Sequence, residues 1–118
     1  MKKLAIILIS IVIIISCATP LYNWENYEKT SYLYLKNADS TSIQGILETY
    51  QNIIDNPKKS VGGVTPSRGV VPPGIYADYG FVLLQEGETE KGKTMLLKEI
   101  ESYPESKVFI EKILEMIE

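Results

Sequence analysis

Between Ser40 and Asp55 the large apolar residues fall at Ile43, Ile46, Leu47, Tyr50, Ile53 and Ile54. Spacings of three and four repeat without interruption, which puts all six on one stripe of an α-helix and on no single face of a strand. This period constrains the fold most, because it recurs along the chain. Trp24 to Lys36 carries Trp24, Tyr27, Ser31, Tyr34 and Leu35 on one face, with Tyr32 and Leu33 on its flanks. Asn37-Ala38-Asp39-Ser40 is a turn that supplies an N-cap, and Asn56-Pro57 stops the second helix. Pro73–Glu86 and Thr89–Tyr103 form a third and fourth helix joined by Gly87-Glu88, and Ser106 is placed to cap a fifth over Lys107–Ile117. The buried face expected for the fifth is Phe109, Ile113, Met116 and Ile117, with Val108 beside it. Between Pro57 and Pro72, glycines 62, 63 and 69 and prolines 57, 66 and 72 break every period, so 57–72 reads as a long loop. The expected class is all-α, built from antiparallel helical hairpins.

The first residues follow a different logic. Lys2 and Lys3 precede an apolar block from Leu4 to Ile15, interrupted only by Ser10, and Cys17 follows at once. A basic start, an apolar run and a small residue before a cut are the layout of a secretory signal. Ile14-Ile15-Ser16-Cys17 resembles the lipobox of bacterial lipoproteins. The resemblance implies cleavage between Ser16 and Cys17 and attachment of diacylglycerol to the Cys17 thiol. A membrane-spanning helix needs roughly 20 apolar residues; Leu4 to Ala18 supplies about 15, and Pro20 follows. The expected organisation is a signal peptide over 1–16, a lipidated tether over 17–23 and a helical domain over 24–118. With Ala18 rather than an acidic residue after the cysteine, resemblance to Gram-negative lipoproteins favours the outer membrane, facing the periplasm.

Cleavage leaves 102 residues, enough for one small domain, and takes the formal charge from −3 to −5. So acidic a chain suits nucleic acid poorly, since that binding needs clustered lysine and arginine. One cysteine allows no internal disulfide, and the absence of histidine removes the commonest general base and metal ligand. Cys17 is taken by lipid and the serines have no histidine to activate them. Residues 62–69 are glycine-rich but lack the lysine ending of a phosphate-binding loop. No enzyme activity, cofactor or metal is expected.

Pro73 to Ser106 spans the 34 residues of one tetratricopeptide repeat. Tyr76 stands where that repeat prefers tryptophan and Tyr79 where it prefers leucine, Gly80 takes the small packing position and Leu83 the next large one, Gly92 and Leu96 take the small and aromatic positions of the second helix, and Pro104 is the terminal proline. Departures are Ile100 where alanine is usual and Thr89 where an aromatic is common. Two helices cross closely only if Gly80 and Gly92 keep side chains out of the contact, and Tyr76, Tyr79, Leu83 and Leu96 then fill the space around it. Setting Pro57 at the terminal-proline position gives a weaker earlier unit from about Asn26, with Gly45 at the small position. The fifth helix is then a cap on a minimal array. By carry-over from the repeat family, the partner groove of 73–106 falls on Gly74, Ala77, Phe81, Leu84 and Gln85. Phe81 and Leu84 are apolar where a solvent-facing side is polar. Either the first helix pair covers them or a partner does, and internal cover is the expectation favoured.

The chain as a whole is similar to a family of small bacterial lipoproteins with a domain of unknown function. The likeness rests on Cys17–Pro20, Leu21–Trp24 with Tyr27, Pro72–Gly80 with Leu83 and Leu84, and Tyr103–Phe109. Members are typically encoded beside a lipoprotein like the curli secretion channel and a second small lipoprotein. The resemblance implies a role in an envelope assembly. Together with the lipobox, the repeat and the absence of a catalytic set, it leads to the expectation of a lipid-anchored interaction module, a scaffold or assembly factor of an outer-membrane lipoprotein complex, with a channel-like envelope lipoprotein as partner. The alternative is a binder of a small envelope ligand such as a peptidoglycan fragment, which a pocket between the first helix and the 57–72 loop would favour. Three further features have a bland and a functional reading. Glu86, Glu88 and Glu90 are a solvated turn or a weak cation site. Lys58, Lys59 and Arg68 belong to a soluble loop or meet an anionic partner. Tyr22, Trp24, Tyr27, Tyr32 and Tyr34 pack the first helix or touch a partner or headgroups, with Tyr32 the one set off the main stripe.

Overall fold

The computed structural model describes residues 21–59 and 67–118. Ser16, Cys17 and most of the glycine-rich stretch 62–69 lie outside them. The described residues form five α-helices and no strand: α1 (Tyr27–Asn37), α2 (Ser40–Asp55), α3 (Ile75–Gln85), α4 (Thr89–Ser102) and α5 (Lys107–Ile117), with a short 3-10 turn at Pro104–Ser106. Sequence neighbours pack as hairpins, and α3 is shared between two cores.

The first core lies between α2 and α3. Ile46, Ile53 and Ile75 are sealed from solvent, Tyr50, Val71 and Val82 nearly so, and Tyr27 and Tyr34 pack against them from α1. Burying a side chain of this size contributes about 1.5–3 kcal/mol, so the period of α2 is what fixes that helix in place. The second core gathers Leu96, Ile110 and Ile113, with Ala77, Leu84, Ile100 and Leu114 against it.

Helix ends follow local chemistry. Asp39 accepts the Ser42 N–H at 2.7 Å, while the Asp39 N–H donates to Ser42 Oγ at 3.1 Å, a reciprocal cap on α2. At the end of α3, Gly87 has φ +82; its N–H reaches the Leu84 carbonyl and the Glu88 N–H reaches that of Leu83. That pair of bonds closes the helix with a left-handed residue, which glycine adopts without strain. The N-terminus of α3 is held from another helix. Glu99 of α4, 2% exposed, accepts the Gly74 N–H at 2.8 Å and the Ala77 N–H at 3.3 Å. Its carboxylate thus meets unpaired amides and the positive end of the helix dipole.

Several expectations are corrected. The first helix begins at Tyr27, not Trp24, because the Asn23 side chain accepts the Glu25 N–H at 3.2 Å and Glu25 takes φ 46. Asn23 is itself 2% exposed and donates to the Asn56 carbonyl at 2.9 Å, so the end of the expected tether is bound to the body. The third helix begins at Ile75, because Gly74 turns with φ 91. Ser106 does not cap α5; its hydroxyl donates to the Tyr103 carbonyl at 2.7 Å and closes the 3-10 turn that Pro104 opens. On α5 the buried residues are Ile110 and Ile113, while Phe109 is 64% and Met116 77% exposed. Lys107–Ile117 carries two overlapping apolar stripes, and periodicity alone does not say which faces the core.

Candidate partner-binding site

The residues of α3 explain why a face is left open. Its eleven residues, Ile75 to Gln85, are apolar or small nearly all round, with Asp78 as the single charge. Ile75 and Val82 are buried in the first core, with Tyr79 packed against it. Gly80 and Leu84 meet α4: a β-carbon on Gly80 would lie 2.8 Å from the Gly92 carbonyl oxygen, and one on Gly92 would lie 2.7 Å from Leu84 Cγ. The remaining stripe, Ala77, Asp78, Phe81 and Gln85, is spaced at one, three and four residues and so shares a side. Ala77 packs against the second core at the edge of this stripe, while among the described residues Asp78, Phe81 and Gln85 stay exposed.

Two clefts flank this stripe. Between α1 and α3 a cleft of about 220 Å³ has Tyr27, Ser31 and Leu35 on one wall and Asp78 and Phe81 on the other. Between α3 and α5 a cleft of about 350 Å³ runs from Ala77, Asp78 and Phe81 to Phe109, Ile113 and Met116. Asp78 and Phe81 belong to both, so α1, α3 and α5 make one continuous face. Phe81 is half-exposed, and Leu35, Phe109 and Met116 are more exposed still. Clustered exposed apolar side chains mark interaction surfaces more often than isolated ones do.

The face has one polar centre. Tyr27 Oη donates to Asp78 Oδ2 at 2.9 Å, and Asp78 Oδ1 has no hydrogen-bond partner among the described residues. Burial pushes the Asp78 carboxyl above its usual range, and the Tyr27 hydrogen bond opposes that only in part. Tyr27 is pushed up to about 12, first by burial and then by the bond to Asp78, so its phenol stays protonated at neutral pH. At the far edge Tyr34 Oη donates to Gln85 Oε1 at 2.7 Å. Together these groups offer apolar surface, a negative charge and hydrogen-bond acceptors.

Of the groove residues expected from sequence, Ala77 and Phe81 line the face, and Gln85 stands at its edge, held by Tyr34. Leu84 does not: it packs into the second core against Gly92, and α4, not the first hairpin, covers it. Gly74 caps α3 and spends its N–H on Glu99. The internal cover favoured for Phe81 is absent from the described residues. Sequence reasoning missed Asp78, Phe109 and Met116 as parts of the face. The signal for Asp78 was its isolation as the only charge on α3. For α5 it was an apolar surplus larger than one buried stripe needs.

Elsewhere the described residues are less suggestive. Gly45 does not act as Gly80 does: a β-carbon there meets nothing within 4 Å, and it borders a cleft of about 130 Å³ between α1 and α2. Lys59 pairs with Glu25 at 2.7 Å and Asn23 donates to the Asn56 carbonyl, which ties the segment before α1 to the residues after α2, beside a cleft of about 590 Å³ lined by Asp55, Asn56, Pro57, Lys58 and Lys59. Glu88 pairs with Lys91 at 3.0 Å on an exposed turn. Tyr32 is 61% exposed, with the Lys36 ammonium 5.7 Å from its ring. Among the described residues no His, Cys, Asp or Glu cluster has a metal-holding arrangement, and no helix is long and apolar enough to cross a membrane.

A family model described as a domain of unknown function (DUF4810) matches residues 21–113. No curated protein and no solved structure matches the chain.

Proposed function

We propose that this chain, which belongs to the family defined by that domain of unknown function, is a lipid-anchored helical interaction module. In this reading it is a scaffold or assembly factor for a complex of outer-membrane lipoproteins, without catalytic activity of its own. The observation that carries the reading is the uncovered face of α1, α3 and α5, centred on Phe81. Two hairpins and a fifth helix that fold two cores yet leave Phe81, Phe109, Met116 and Leu35 exposed have surface to spare for a partner. The hairpin pattern at 73–106 supports a tetratricopeptide-like reading, in which such a face takes a segment of another protein. A channel-like lipoprotein, as family resemblance implies, is the partner proposed.

The anchor is proposed from sequence. Cys17 is the only cysteine and stands where a lipobox has its acceptor. Two or more acyl chains hold a protein to a bilayer stably, which would confine partner search to the membrane surface. Replacing Cys17 with Ala should abolish incorporation of labelled palmitate and leave unprocessed precursor. A variant that still fractionates as processed membrane protein would sink the anchor.

The interaction reading is tested by co-purification of the full chain from detergent-solubilised envelopes. Wild type should retain a stoichiometric envelope protein, and Phe81→Asp should lose it while still folding. A wild-type chain that emerges alone under all solubilisation conditions would contradict the proposal. The small-ligand alternative rests on a cleft of about 590 Å³ lined by Asp55, Asn56, Pro57, Lys58 and Lys59, beside the Lys59–Glu25 pair.

A further inference from the structure

Asp78 sets the chemistry of what the open face accepts. We infer that the occupant is a protein segment bearing one lysine or arginine between apolar side chains. Its apolar groups enter the two clefts beside Phe81, and its cation meets Asp78. This rests on the interaction reading above and goes further by naming the partner's chemistry.

Asp78 stands at the border of both clefts, among Ala77, Phe81 and the ring of Tyr27. One oxygen takes the Tyr27 hydroxyl, and the other has no protein partner among the described residues. Asp78 joins none of the ion pairs found among the described residues, which are Lys59–Glu25, Lys91–Glu88 and Lys107–Glu111. While the face is open, water solvates the free oxygen. A partner that covered the face with apolar groups alone would strip that water and leave a carboxylate unpaired, which binding cannot absorb cheaply. A partner carrying a guanidinium or ammonium replaces the water with a charge-assisted hydrogen bond. The carboxylate therefore selects twice, favouring a basic segment and penalising an acidic or purely apolar one. The same charge disfavours an anionic lipid surface as occupant, although the apolar side chains alone would suit one. It also distinguishes this face from a plain hydrophobic groove, in which no position would carry a sign.

The test uses the full chain in lipid nanodiscs and, as probe, a display library of random 15-residue peptides, with empty nanodiscs subtracted. Wild type should enrich peptides with a lysine or arginine three or four residues from an aromatic or aliphatic side chain. Asp78→Asn should weaken capture of those peptides about tenfold, the usual scale for one charge-assisted bond, and Asp78→Lys should shift enrichment towards aspartate and glutamate. Because Asp78 also accepts from Tyr27, Tyr27→Phe is the control. It removes that bond, keeps the carboxylate, and should preserve the basic preference if the charge, rather than the local fold, is responsible. Identical peptides selected by wild type, Asp78→Asn and Asp78→Lys would overturn the inference. If Phe81→Ala still abolished capture in that case, the interaction reading would survive without its charge rule. Failure of wild type to enrich any peptide, or enrichment of acidic ones, would overturn the inference too, the former counting also against the face as a protein-binding site.

Discussion

The two hairpins carry similar sequence cues and pack by different means. In the second, α3 and α4 meet backbone to backbone, because Gly80 and Gly92 lie opposite each other and Leu96 closes over the contact. In the first, Gly45 faces open space and a cleft remains between α1 and α2. No residue of α1 is fully buried. That helix is held by Tyr27 and Tyr34, which pack on the first core by their rings and reach Asp78 and Gln85 with their hydroxyls. A small residue permits close approach but does not enforce it; a matching small residue on the facing helix is also required. The second hairpin is thus a tight unit and the first a looser flank, and the open face lies where the two meet on α3.

The sharpest way to break this contrast is the same substitution in both hairpins. Gly80→Ala should destabilise the protein by about 2–3 kcal/mol, because its new β-carbon meets backbone that cannot step aside. Chemical denaturation checks it; an unchanged midpoint would mean that α3 and α4 do not touch as described. Next in size is Glu99→Gln, which replaces one of two accepting oxygens at the start of α3 with a donor and should cost about 1–2 kcal/mol by the same measurement. Gly45→Ala should instead stabilise by about 0.5–1 kcal/mol, since alanine favours helix and nothing stands in its way.

Asp78→Asn gives the smallest effect and the most telling sign. The folded state raises the Asp78 pKa above its ordinary value of 3.8. Its contribution to stability is therefore fully present below that value and lost as the pH rises through the raised one. Thermal melts should show wild type gaining on Asp78→Asn as the pH is lowered from 7 towards 4. Asp39 works in the opposite sense: its hydrogen bonds with Ser42 hold its carboxyl below the usual range, so its contribution falls away in acid. The comparison with Asp78→Asn cancels that background.

How much could be read from the chain follows the same division. Ile46, Tyr50 and Ile53 announce α2 through a single stripe, and Gly80 with Gly92 announces the α3–α4 contact. Helix starts were less legible. Asn23 and Gly74 shift them through a side-chain bond and a positive φ, neither of which periodicity registers. The site was half legible. Ala77 and Phe81 follow from the register of α3, but Leu84, three residues on from Phe81, turns to α4 because Gly92 leaves it room. Phe109 and Met116 read as core from sequence because α5 has more apolar surface than its neighbours cover. That surplus, misread as core, is what completes the face.

The most direct test of the account compares its two sides. A photo-crosslinking amino acid is placed at Phe81, on the open face, and separately at Leu97, which is 55% exposed on α4, and irradiated in intact cells. The account predicts one discrete adduct from position 81, lost when Met116→Asp is added, and none from position 97. Equal crosslinking from both positions, or an adduct from 97 alone, would contradict it.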